Sequence, residues 1–140
     1  MHAFTTILKK LWFCAIVALA MSPQVALAQG PLANGQIHNG TISAAAEIDT
    51  WTFTATQNDY IALSVGEVGS DAGFFPWIRL RNPNGVEIAS GYGALVGQIN
   101  VAAPLSGTYT VLIASADTNH TGVGSYRLTL AQSPGAWREP

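Results

Sequence analysis

DTWTFTA, residues 49–55, alternates large apolar side chains with small polar ones: Trp51 and Phe53 fall on one side, and Thr50, Thr52 and Thr54 on the other. A backbone that sends successive side chains to opposite faces is a strand. Threonine favours that geometry because its branched Cβ is crowded in a helix. The stretch therefore turns one face to a core and one threonine-lined face to the surface.

The same period of two continues on both sides. The turn TQND leads into YIALSV, with Ile61, Leu63 and Val65 in phase. PWIRLR follows with Ile78 and Leu80 in phase, then NPNG, where Pro83 suits the second position of a tight turn and Gly85 its end. VEIA (86–89) reads as the return strand. LVGQINV (95–101), GTYTVLIA (107–114) and SYRLTLA (125–131) complete the series, and a short strand is expected around Ile37 to Ile42. Leu95, Ile99, Val101, Tyr109, Val111, Ile113, Tyr126, Leu128 and Leu130 are expected to point inward. No stretch after the amino-terminal segment has helical spacing. The fold class is thus all-β: a single eight-stranded antiparallel β-sandwich, jelly-roll-like, with an up-and-down barrel as the rival.

Lys9 and Lys10 precede the apolar run LWFCAIVALAM, and Ala26-Leu27-Ala28 follows as a small-residue cleavage pattern. Residues 1–28 read as a secretory signal peptide cut after Ala28. The apolar run is shorter than the ~20 residues needed to span a bilayer. Cys14 lies inside that run, so the processed chain is expected to lack cysteine and lipid. Residues 29–132 form the expected domain and 133–140, with Trp137, an expected disordered tail. The processed chain carries four arginines against eight acids, a net charge of −4. That balance speaks against nucleic acid or anionic lipid as partners, which attract basic patches.

Loop lengths order the surface. The turns 56–59, 82–85 and 102–106 are compact, whereas 67–75 and 115–124 are long. If successive strands run antiparallel, alternate connections share one end, and both long loops fall on that rim. Long loops on a rigid scaffold are where binding usually resides.

GTI, EIDTWTF, YIALSV, PWIRLRNPNG, SGTYTVLI and GSYRLTL, in that order over residues 35–131, resemble the bacterial pre-peptidase C-terminal domain. The resemblance implies a jelly-roll-like β-sandwich in an exported protein. Its members are usually appended to secreted proteases and other exported enzymes, and some relatives bind extracellular polymers or calcium. The shared motifs mark a fold rather than an activity, and no ligand residue is carried over from them.

No nucleophile elbow, His-Glu-x-x-His helix, phosphate-binding loop or Cys/His metal set occurs, so no catalytic residue is assigned and the protein is expected not to be an enzyme. His38 and His120 read as exposed turn residues. Acids on the rim suggest a calcium site built from Asp71, Asp117 and Asn119, with Glu47, Asp49 and Glu67 nearby, since calcium takes six to eight oxygens. The competing reading has these residues capping turns. No other cofactor is expected.

If Ile78 and Leu80 point inward, Trp77, Arg79 and Arg81 share the outer face, with Phe75 and Tyr92 at the rim. Phe75, Trp77, Arg79 and Tyr92 are therefore the candidate ligand-binding residues. The alternative is that Phe74, Phe75 or Trp77 folds over the open end of the core, or that Trp77 and Arg79 form an internal cation–π ladder. The functional expectation is a secreted or periplasmic, non-catalytic module binding an extracellular polysaccharide or protein. Its rival is an accessory module that stabilises or chaperones a separately encoded secreted enzyme and has no ligand site.

Overall fold

Two stacked sheets are what this alternation builds when each strand buries one face. The computed structural model describes residues 26–69 and 73–134. Among these, nine strands follow in order: β1 (Ala26–Pro31), β2 (Ile37–Ile42), β3 (Ile48–Ala55), β4 (Tyr60–Val68), β5 (Pro76–Arg81), β6 (Glu87–Tyr92), β7 (Val96–Ala102), β8 (Gly107–Ser115) and β9 (Gly124–Ser133). The sheets have the orders β1-β3-β8-β5-β6 and β2-β9-β4-β7. Trp51, Phe53, Ile78, Leu80, Tyr109, Val111 and Ile113 from the first pack with Ile61, Leu63, Val65, Tyr126, Leu128 and Leu130 from the second. Each is at most 6 % exposed.

The expectation of eight strands, all antiparallel, is corrected by β1, which pairs parallel to β3. ALAQGP has no alternation of its own and is extended because the edge of β3 offers it hydrogen bonds. A bulge between Ala28 and Gly30 leaves Gln29 out of register. The expected cut after Ala28 falls within this strand. Residues 1–25 of the expected signal peptide and 135–140 of the expected tail lie outside the described residues. Leu95, in phase with Ile99, is also corrected: it precedes β7 and is 65 % exposed in the β6–β7 turn.

β6 and β7 belong to different sheets yet run close along one side of the sandwich. Gly91 permits this, since a Cβ there would overlap the backbone carbonyl of Gln98. The NPNG turn forms as expected: Gly85 N–H donates to Asn82 C=O at 2.8 Å, and Gly85 takes a φ of 79°. At the other end, alternate connections meet. Ala46 N–H donates to His120 C=O (2.6 Å), Ala116 N–H to Phe75 C=O (2.9 Å), and Gly93 N–H to Pro76 C=O (3.3 Å). The common rim read from loop lengths is thus present and tied by backbone hydrogen bonds.

Candidate functional site

Alternation along β5 buries Pro76, Ile78 and Leu80 and turns Trp77, Arg79 and Arg81 outward, partly buried. Arg79 lies opposite Leu112 on β8, and Trp77 opposite Ala114. Both β8 residues face outward yet are only 8 % and 4 % exposed. Long amphipathic side chains cover apolar surface in this way, lying along it while keeping a polar tip free. The sequence carried a signal for this second covered face. VLIA, residues 111–114, is an unbroken apolar run, the pattern of a central strand buried on both sides.

The Arg79 guanidinium carbon sits 4.3 Å from the centroid of the Trp77 ring. The His120 imidazole stacks on the same indole, with centroids 5.2 Å apart and planes at 14°. Trp77 is therefore already engaged by two side chains of its own protein, as the internal-ladder alternative has it. His120 arrives from the β8–β9 loop with a φ of 52°, the left-handed region that non-glycine residues seldom occupy. Three hydrogen bonds hold it there. Its backbone N–H donates to Asp117 C=O at 3.0 Å, its carbonyl accepts from Ala46, and Nδ1–H donates to Ser115 C=O at 2.6 Å.

Asp117 closes the same loop. Its Oδ2 accepts from the Thr121 N–H (2.7 Å) and hydroxyl (2.8 Å), and its Oδ1 from Gly122 N–H (3.0 Å). Burial works against its ionised form, but hydrogen bonds from Ser115, Thr121 and Gly122 outweigh it and hold the carboxyl well below the ordinary range.

These side chains enclose a depression of about 500 Å³ on the outer face of the five-stranded sheet, bounded by Glu47, Thr50, Trp77, Arg79, Arg81 and His120. A neighbouring hollow of about 330 Å³ is bounded by Trp77, Ser90, Tyr92 and His120. Tyr92 is 75 % exposed and Phe75 40 %, and they line one further hollow together. Glu47 is only 5 % exposed. Its Oε2 accepts from Ser43 N–H (2.7 Å), the Ser43 hydroxyl (2.7 Å) and Ala44 N–H (2.8 Å). Its Oε1 is buried without a hydrogen-bond partner among the described residues, and so is Arg79 Nε. Burial lowers the Arg79 guanidinium from its ordinary value, with Glu87 opposing and Arg81 reinforcing the shift.

Set beside this geometry, solved structures give a consistent answer. The pre-peptidase C-terminal domain of a collagenase from Bacillus anthracis superposes with a TM-score of 0.57 at 20% sequence identity, covering 78% of this chain and 97% of that one. The fold is that of the pre-peptidase C-terminal domain. The same sandwich occurs in Aeromonas hydrophila PliG, a periplasmic inhibitor of g-type lysozyme (TM-score 0.61, 14% identity, 78% of this chain, 100% of that one). It occurs again in CorA, a surface-associated copper-binding protein of Methylomicrobium album BG8 (0.59, 7% identity, 78% and 100%). No family model matches the sequence, and a search of curated proteins gave no match.

In this structure Phe75, Trp77, Arg79 and Tyr92 lie on one outer face and its rim. The calcium candidates are distributed differently. Asp71 lies outside the described residues, Asn119 is exposed, and both Asp117 oxygens hold their own loop. Among the described residues no three His, Cys, Asp or Glu side chains group as a metal site would require. Asp49, counted with the rim acids in sequence, points into the core instead. The two histidines are corrected as well. His38 sits partly buried in β2, its ring edge against Trp51 at 5.3 Å and its Nε2 accepting from Ala33 N–H. His120 is the stacking partner of Trp77, a role that depends on a loop returning to a distant strand and so leaves no mark in sequence.

Proposed function

We propose that this chain is an exported, non-catalytic β-sandwich module that binds another protein through the outer face of its five-stranded sheet and the adjoining rim. The observation that carries the reading is the aromatic grouping at the rim. Tyr92 and Phe75 stand well exposed beside the Trp77 depression, on a loop arrangement held by backbone hydrogen bonds. Exposed aromatic surface next to a polar recess is the composition of a protein-binding patch, since tyrosine and tryptophan supply large contact area at low entropic cost. A polysaccharide is less well served. Sugar rings stack on open indole faces, and Trp77 is already engaged by Arg79 and His120.

The amino-terminal pattern supports export, and the similar lysozyme inhibitor is itself a periplasmic protein that acts on a protein. The reading calls for no cofactor and assigns no catalytic residue. It is tested by placing a photo-crosslinking amino acid at Tyr92, and separately at Ile37, which is 61 % exposed at the opposite end of the sandwich, in the cell that makes the protein. Crosslinks to one discrete polypeptide from position 92 and none from position 37 are expected. Crosslinks to glycan strands would favour the polysaccharide, and none from position 92, or equal yields from both, would overturn the proposed surface.

A further inference from the structure

The β3 edge of the five-stranded sheet is covered by a segment that the expected processing removes. Ala26, Leu27 and Ala28 are the parallel ladder partners of Ile48, Asp49 and Thr50, and the cut expected after Ala28 takes all three away. We infer that the processed chain presents the β3 edge from Ile48 to Thr50 as a docking site for an extended, apolar segment of the partner protein, added parallel to β3 where Ala26–Ala28 lie. The inference deepens the protein-binding reading and rests on it for the source of the segment.

This edge accepts a strand, because the chain's own segment is seated on it in register up to the bulge at Gln29. What remains of β1 is pinned and does not refill the gap. Gln29 Nε2–H donates to Asp49 Oδ1 at 2.8 Å, Gly30 and Pro31 pair with Trp51 and Thr52, and Leu32 N–H donates to Thr52 C=O at 2.7 Å. The opened stretch adjoins the surface already described, since Ile48 and Thr50 line the same depression as Trp77, Arg79 and His120.

An unpaired edge is a template for another strand, whose main-chain hydrogen bonds supply affinity. Elsewhere this sheet is guarded. Pro31 has no N–H to offer on the retained part of β1. The opposite edge, β6, runs so close to β7 that a Cβ at Gly91 would overlap Gln98 C=O. Direction and chemistry select the occupant. Two copies of the chain meeting edge to edge about a two-fold axis would pair β3 antiparallel, whereas the seated segment runs parallel. Ladder partners turn their side chains to one face, so Leu27 shares the face of Asp49, whose carboxyl is fully buried. An apolar side chain fits there, and an acid would add like charge.

The test compares the exported, processed chain with one that retains residues 24–28. Mass spectrometry should place the first residue of the exported protein at Gln29. At least one of the Ile48, Asp49 and Thr50 amides should exchange hydrogen at least about tenfold faster in the processed chain than in the longer one. Acetyl-QVALA-amide, the sequence of residues 24–28, should shift those amides saturably in NMR spectra of the processed chain, with a dissociation constant of about 1 mM. The longer chain should bind it at least about tenfold more weakly, because its own segment fills the edge. The Leu27→Asp form of the peptide should not bind. An exported chain that keeps Ala26–Ala28, equal exchange in the two chains, equal binding by both, equal binding of the two peptides, no binding, or a dimer of the processed chain joined through β3 would each overturn the inference. Crosslinking from position 92 does not depend on this edge, so its success beside a failed peptide titration would sink the edge alone.

Discussion

The hydroxyl of Tyr126 donates to the carboxylate of Asp49 inside the core, joining β9 of one sheet to β3 of the other. Both residues are fully buried. The same hydroxyl oxygen accepts from Trp51 Nε1–H at 3.0 Å, and the second Asp49 oxygen accepts from Gln29 Nε2–H at 2.8 Å. A buried carboxylate is tolerated only when hydrogen-bonded, and this chain of donors satisfies both of its oxygens. Gly40 makes room for it, because a Cβ there would overlap the Tyr126 ring.

Tyr126→Phe keeps the ring and removes the link. Asp49 Oδ2 and the Trp51 N–H then lose their partner in a closed core, which costs about 1–3 kcal/mol. Urea unfolding should show a lower midpoint at an unchanged slope, and an unchanged midpoint would deny the link a role in stability.

The same carboxyl makes stability depend on pH. Burial raises the Asp49 pKa, the hydrogen bonds from Tyr126 and Gln29 oppose the rise, and Glu47 adds to it. The folded state then holds this proton more tightly than the unfolded chain. Between the unfolded value and the raised folded value it binds more protons, so this group's contribution to stability falls as pH rises through that window. Asp117 has the opposite sign. Its pKa is lowered on folding, so its contribution is present above the unfolded value and is lost as pH falls through the folded one. Unfolding followed across acidic pH should lose the alkaline-side decline in Asp49→Asn and the acid-side decline in Asp117→Asn. Parent-like slopes in both variants would refute the assignment.

Phe74 and Phe75 are adjacent and should behave differently. Phe74 is 1 % exposed, packed beside Gly124 at the end of the core, whereas Phe75 is 40 % exposed. Phe74→Ala leaves a cavity and should cost about 3–5 kcal/mol, while Phe75→Ala should stay within about 0.5 kcal/mol of the parent. Thermal melting of the two variants distinguishes them, and equal losses would mean that both rings close the sandwich.

Residue alternation was enough to place Trp51, Phe53, Ile78 and Leu80 in the core and Trp77, Arg79 and Arg81 on the outer face, because side-chain direction in a strand is a local property of the backbone. Loop lengths were enough to bring the long connections to one rim, because antiparallel succession fixes which ends meet. Only the tertiary structure decided what depends on neighbours remote in sequence. It added β1, which is a strand only because β3 offers an edge. It paired the inward-facing Asp49 with Tyr126, 77 residues away. It brought His120 onto Trp77, and it buried Glu47 Oε1 and Arg79 Nε without hydrogen-bond partners among the described residues. Burial and hydrogen-bond partnership are relations between distant residues, and alternation along a single strand carries no record of them.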